Sequence, residues 1–323
     1  MPGKHHLARL AATYVSLATK NLSGLLGSLF RVLYDFRPVQ LSLPSAGSRR
    51  LVIFGTGPTL RETLTDIDPK ECGDTDFMSV NEGYRDYSFT KFKPIYHVLA
   101  DPIYWDPASA ATYVTPLIAA LDRSDWPVTV LLPLRAKGSV LHATLASRKA
   151  HITFYRSTTI SGFHLFQYAA FLHRLGMPRV QNVLVAAISL GAWMQYPEIA
   201  VLGADHSWHE TIVVNDRNIV CVRQLHSYEN ECAETPFLKP EGVGRSLSNK
   251  PLLKSDVFNM AEIFTAWSLV YESYYQLNLL TARLKCSVYN CSGKSFIDAF
   301  QRKPFKQFLR ANKTSSAEQP QPQ

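Results

Sequence analysis

Residues 51–60 read LVIFGTGPTL, and this stretch restricts the fold more than any other part of the chain. Four apolar residues make a short buried strand, Gly55-Thr56-Gly57-Pro58 breaks it, and residues 59–64 resume with apolar positions at helical spacing. A strand, a glycine-rich turn and a helix start form the first half of a βα unit. Gly55 and Gly57 permit close backbone approach, and Pro58 suits the first turn of a helix. Such a turn can offer backbone N–H groups to a phosphate at the positive end of the helix, or it can be a plain strand-to-helix connection. On the first reading, Gly57→Val should lower nucleotide affinity by about tenfold, ~1.4 kcal/mol, and leave the fold intact.

The rest of the chain repeats this alternation. Apolar runs at 50–54, 77–80, 95–99, 128–132, 152–155, 199–203 and 286–290 read as strands, and helical spacing fills 60–67, 108–121, 164–175, 183–195 and 256–284. The pattern predicts an α/β fold, a Rossmann-like, mostly parallel sheet with helices on both faces. A chain of 323 residues holds one such domain, expected over 49–305, with an amphipathic helical extension over 1–48. Residues 306–323 read as a basic and then disordered Gln/Pro tail.

Parallel sheets bind ligands beyond the carboxyl ends of their strands. The residues at those positions are Gly55-Thr56-Gly57, Asn81-Glu82, Asp101-Pro102, the run from Asp205 through His206 to His209, and Asn290-Cys291-Ser292-Gly293. An Asn placed there can accept and donate at once, as a base or ribose requires. Each of these residues can also simply cap the helix that follows. Five polar strand ends in register predict a ligand site along this edge.

Charge adds a partner class. A net charge of +8 and a pI near 9.2 point to an acidic partner: an anionic membrane, a nucleotide or a nucleic acid. The basic residues form no stripe interleaved with aromatics, which argues against nucleic acid. Residues 4–36 place apolar side chains three or four apart among Lys and Arg, reading as one or two amphipathic helices. They are too polar and interrupted to span a membrane and lack a secretory cleavage site. The segment either packs on its own domain or a partner subunit, or lies on a membrane surface. Five scattered Cys with no C-x-x-C pair favour a reducing compartment over a disulfide framework or zinc site. The Asp-x-Asp pairs at 66–68 and 74–76 stand away from the strand ends, so no metal is expected.

The order GTGPTL, VNEGYRD, LADP, IAVLGADHSW, QLHSYENE and VYNCSGKSFIDAF resembles the bacterial lipo-oligosaccharide sialyltransferases of glycosyltransferase family forty-two. The pattern is similar also to a wider "GPSL" group, which includes flagellin-modifying nonulosonate transferases and archaeal pterin pyrophosphokinases. The resemblance covers residues 51–305. It implies a CMP-activated sugar as donor, with no further cofactor, and a glycan acceptor. The protein would sit in the cytoplasm, peripheral at the inner face of a bacterial membrane, possible self-association included.

Residue by residue, the resemblance puts Gly55, Thr56, Gly57 and Pro58 on the donor phosphates, Thr56 standing where the family has Asn. It puts Asn81 on the ribose and cytosine side and Asp101 at the family's Asn-Pro. Asn290 and Ser292 complete the nucleotide side. Arg179, Gln181 and Asn182 fall at the Arg-x-Thr-Ser that meets the sugar carboxylate, keeping only the Arg. Asp205 falls at the Gly-x-Asp strand end. His206 and His209 occupy the stretch that carries two phosphate-steadying tyrosines in the family; they could donate to the leaving phosphate or simply pack.

His226 matches the family's catalytic histidine in order and spacing. The chemistry is independently reasonable: glycosyl transfer needs a base for the acceptor hydroxyl, and imidazole titrates near neutrality. Two other classes fit less of the sequence. A Mg-dependent pyrophosphokinase needs clustered carboxylates on its phosphates, and the strand ends supply only Asp101 and Asp205. A non-catalytic, membrane-associated nucleotide-binding protein leaves the polar strand ends without a purpose.

Overall fold

The computed structural model describes residues 3–35, 42–45, 50–107, 110–224, 233–239 and 256–310. The chain divides into two compact units, 1–205 with 273–323, and 206–272. The helices are α1 (Gly3–Tyr34), α2 (Thr59–Leu64), α3 (Tyr87–Phe92), α4 (Ala110–Asp122), α5 (Val140–Ser147), α6 (His164–Leu172), α7 (Val183–Trp193), α8 (Met260–Arg283) and α9 (Phe305–Arg310). The strands run β1 (Arg50–Phe54), β2 (Thr75–Val80), β3 (Tyr96–Val98), β4 (Thr129–Pro133), β5 (His151–Tyr155), β6 (Glu198–Leu202), β7 (Ile212–Val214), β8 (Val220–Gln224), β9 (Ala233–Pro236), β10 (Ser287–Asn290) and β11 (Gln301–Arg302).

In the larger unit eight strands form one sheet in the order β11-β10-β6-β1-β2-β3-β4-β5, with every neighbouring pair parallel. The seven anticipated strands all belong to it, and the fold is the expected Rossmann-like α/β. Alternate residues of β1 face opposite sides. Val52 and Phe54 pack with Leu60 and Leu64 of α2, Phe92 of α3 and Phe308 of α9. On the other face α7 lies so close that a Cβ on Gly191 would come 2.7 Å from Leu51 and Ile199 side-chain carbons. Residues 184–193 of α7 are all buried, so this helix is enclosed on every side.

The domain extends past its expected end. Phe305 and Phe308 of α9 are buried, and the Arg50 guanidinium donates to the Phe308 carbonyl (2.9 Å) while lying 5.4 Å from the Phe308 ring centroid. Residues 306–310 are therefore packed helix rather than tail, and 311–323 lie outside the described residues.

The amphipathic extension is a single helix that docks by one face. Gly24 abuts Gly162, Ser28 Oγ donates to the Ser161 carbonyl (3.1 Å) and Arg31 Nε donates to the Thr159 carbonyl (3.0 Å). The opposite face carries Leu22, Leu26, Leu29 and Leu33 at helical spacing, each 42–74% exposed. One face thus packs on the domain, and the other is an unpartnered apolar stripe among the described residues. No described helix is long and apolar enough to cross a membrane.

His97 on β3 is fully buried, edge-on to Tyr84 and Phe89, with Nδ1 2.6 Å from Ser79 Oγ. Burial pushes its pKa down to about 3, opposed only partly by the Asn81 carbonyl. The folded value lies below that of the unfolded chain, so protons bind the unfolded state first as the pH falls. Unfolding free energy should be unaffected by this group above pH ~6.5 and should lose roughly 2–3 kcal/mol by about pH 4.5. Urea denaturation across that window checks this, and the same slope in a His97→Gln protein would assign the loss to other groups.

The smaller unit contains the antiparallel sheet β7-β8-β9. Its core is Val220, Val257 and Ile263, flanked by partly buried Phe237, Phe258 and Trp267. These strands of three to five residues were not anticipated, because they follow one another without intervening helices and so fall outside the strand–helix alternation.

Candidate functional site

The chain runs outward from β1 through β2, β3, β4 and β5, then returns to place β6 on the other side of β1. The strand order reverses between β1 and β6, and that is where an open parallel sheet leaves a crevice at its carboxyl edge. The glycine turn follows β1 and Gly203-Ala204-Asp205 follows β6, so the motif singled out first in the sequence borders the switch point.

The turn's amides are largely engaged within the fold. Gly55 N–H donates to the Leu202 carbonyl and Gly57 N–H to the Gly203 carbonyl, each at 2.8 Å. The Asp205 carboxylate accepts from Thr59 N–H (3.0 Å) and from the Thr59 hydroxyl, capping α2 with a negative charge. Pro58 has no N–H to offer. Thr56 is exposed at the tip of the turn, and its amide has no acceptor among the described residues. The glycines are required by the fold itself: a Cβ on Gly57 would lie 2.6 Å from the Gly203 carbonyl oxygen and 2.8 Å from Asp205 Cγ. Gly203 has φ +62, and a Cβ there would sit 2.9 Å from Leu60 Cβ. This corrects the picture of a turn with unshielded amides, since the end of β6 occupies the space a phosphate would use. Asp205, assigned to the donor sugar or phosphate, is a buried helix cap.

The other strand ends show the same habit. Asn81 adopts a left-handed backbone (φ 42), and its Oδ1 accepts from Ala100 N–H at 3.2 Å, tying the end of β2 to the end of β3. Asp101 caps the 3-10 turn Pro102–Tyr104 by accepting from Ile103 N–H. Asn290 donates to Ser295 Oγ and the Ile297 carbonyl, and Ser292 Oγ accepts from Ala204 N–H at 2.9 Å. With Asn290 1% and Ser292 3% exposed, both are buried: Asn290 braces the loop that follows β10, and Ser292 ties that loop to the end of β6.

Arg179, Gln181 and Asn182 precede α7, which leads into the amino end of β6, so they lie toward the carboxyl edge of the sheet. Asn182 is committed as the N-cap, accepting from Leu184 N–H (2.9 Å) and the Tyr274 hydroxyl (3.2 Å), while Arg179 and Gln181 are exposed. In the smaller unit His206 lies against Trp208 in a tilted contact, 4.2 Å between centroids, and meets Tyr271 edge-on. Burial pushes its pKa down to about 4, so at neutral pH it is an uncharged ring in an aromatic cluster and not a cation for phosphate. His209 is exposed. His226, the anticipated base, lies outside the described residues.

A second group at the same edge was not anticipated. Tyr84 Oη accepts from Arg85 Nε at 3.2 Å, Arg85 pairs with Glu82 at 3.0 Å, and Tyr104, fully buried, holds a hydroxyl with no partner among the described residues. Burial and the neighbouring Tyr84 and Glu82 push the Tyr104 phenol far above its ordinary range. These residues follow the strand-end positions by a few places, and only the 3-10 turns at Asn81–Arg85 and Pro102–Tyr104 bring them back to the edge.

Among the described residues no three His, Cys, Asp or Glu side chains gather as a metal-holding group. Cys72, Cys221, Cys286 and Cys291 are buried free thiols. Comparison of the chain with protein-family models, curated proteins and solved structures finds no match in any of the three.

Proposed function

We propose that the protein is an inverting glycosyltransferase that moves a CMP-activated acidic sugar onto a glycan hydroxyl, in the synthesis of a bacterial surface polysaccharide or lipo-oligosaccharide. The observation that carries this reading is the switch point between β1 and β6, which is bordered by GTGPTL and the end of IAVLGAD, two of the motifs of the sialyltransferase resemblance. Thr56, Arg179 and Gln181 remain exposed along that edge to meet a ligand. In the reaction the acceptor oxygen attacks the anomeric carbon, the bond from that carbon to the CMP phosphate breaks, and His226 takes the acceptor proton. The exposed leucine stripe of α1 supports peripheral contact with an anionic membrane, which co-sedimentation with anionic vesicles checks.

One observation favours a second reading, a non-catalytic membrane-associated protein. The strand-end residues that seemed to demand a ligand are largely satisfied by one another. A pyrophosphokinase is less well supported, because Asp101 and Asp205 are both spent as caps. A thermal-shift panel of CMP, UDP, GDP and ATP, with and without Mg²⁺, separates the three. The glycosyltransferase reading expects selective stabilisation by CMP, rising with concentration as a one-site ligand requires. Magnesium-dependent stabilisation by ATP would establish the kinase instead, and silence throughout would leave the non-catalytic reading.

A further inference from the structure

The larger unit has a second feature on the carboxyl edge of its sheet, away from the switch point. A cavity of about 450 Å³ opens beyond the ends of β4 and β5, with the end of α1 as its outer wall. That is within the usual size range of small-molecule sites, roughly 300–1,000 Å³. Three arginines line it, Arg31 from α1, Arg135 after β4 and Arg156 after β5, against a single carboxylate, Asp35.

Arg31 is held in place by neutral groups. Arg31 donates from Nε to the Thr159 carbonyl and from Nη2 to Ser28 Oγ (3.1 Å) and Ser161 Oγ (3.3 Å), which pins its plane without neutralising its charge. Arg135 lies over the Trp105 ring at 5.6 Å, and its own side chain is solvent-exposed. Asp35 is bonded to the Thr158 hydroxyl at 2.8 Å. Ser157, Thr158 and Thr159 add hydroxyl groups to the same wall. Guanidinium groups that line a shared cavity, one of them pinned in its plane, are the arrangement that recognises phosphate oxygens, two N–H bonds at a time.

We infer that this cavity is a phosphate-binding site, separate from the nucleotide edge, that takes the phosphate group of a small phosphorylated molecule or of a lipid headgroup. Both sources share the chemistry. The site is three strands from β1 along the sheet, about 14 Å at the usual spacing of neighbouring strands, so a ligand here does not compete with one at the switch point. Because α1 supplies Arg31 and also presents the leucine stripe on its far face, the site lies beside the surface that would meet a membrane.

The test uses the full chain with inorganic pyrophosphate as the soluble probe, and compares Arg135→Ala and Arg156→Gln with the unaltered protein. Arg135 is exposed and lies over Trp105, so its variant should keep the far-ultraviolet circular dichroism and thermal midpoint of the parent. Calorimetric titration should show pyrophosphate binding to the parent and a loss of tenfold or more in each variant, while the response of both variants to CMP is unchanged. A CMP response that is absent from every protein would count against the nucleotide reading alone. Vesicles of phosphatidylcholine with and without phosphatidic acid then separate the sources. Co-sedimentation that depends on phosphatidic acid and is lost in the variants assigns a headgroup; variants that lose only pyrophosphate binding assign a soluble ligand. Undiminished pyrophosphate binding by both variants, or no binding by the parent to either probe, would overturn the site.

Discussion

A Gly57→Val protein is expected to lose a large part of its stability, and not merely its affinity for a nucleotide. The added Cβ would meet the Gly203 carbonyl oxygen at 2.6 Å and the Asp205 carboxyl carbon at 2.8 Å. Neither neighbour can swing aside. The first is backbone at the end of a central strand, and the second is held by the Thr59 amide as the cap of α2. Overpacking against such groups costs about 3 kcal/mol, the upper end of the usual range. That is a sizeable share of the roughly 5–15 kcal/mol a domain has in total. The midpoint of thermal unfolding should fall by about 6–12 °C for a domain of this size. Gly83→Ala is the matched control, since a Cβ there would lie 3.6 Å from Ser79 Cβ, an ordinary contact; its effect should stay within about 1 kcal/mol. A Gly57→Val protein with normal stability and lost nucleotide binding would restore the reading of the turn as a ligand cradle.

His226→Ala is expected to have the largest effect on turnover, lowering it roughly 10²–10⁴-fold with donor binding almost unchanged, as the loss of a general base does. The rate of the unaltered enzyme should rise with pH through the region of about 6–7, where an ordinary imidazole gives up its proton. His206→Ala should differ in kind. Its ring lies against Trp208 and is already uncharged at neutral pH, so its removal should lower stability and leave the pH profile of the rate in place. Near-normal turnover in His226→Ala would remove it as the base, and the exposed His209 would be tested next.

Much of this architecture was legible in the chain because it depends on local periodicity. Seven apolar runs became the seven longer strands of the main sheet, and five helical patterns became α2, α4, α6, α7 and α8. What escaped was short or belonged to tertiary packing. The strands β7, β8 and β9 follow one another without the helices that mark the rest of the chain, and α9 reads as a basic tail in sequence, whereas Phe308 is buried against Arg50. The cavity between Arg31, Arg135 and Arg156 joins residues more than a hundred positions apart, which no spacing rule connects.

The same division runs through the site. The sequence by itself determined that a glycine turn, Asn81, Asp101, Asp205, Asn290 and Ser292 stand at the carboxyl ends of parallel strands, because strand and helix periods dictate where each strand stops. It could not determine what those groups face. A polar side chain at a strand end is equally suited to a ligand and to a neighbouring backbone group, and the choice depends on which strand lies alongside. Tertiary structure made that choice by returning the chain to place β6 against β1, so that Leu202, Gly203 and Asp205 took the amides of the glycine turn and Ser292 took the amide of Ala204. A buried hydrogen-bond donor must be satisfied somewhere, and here the nearest acceptors came from the fold itself.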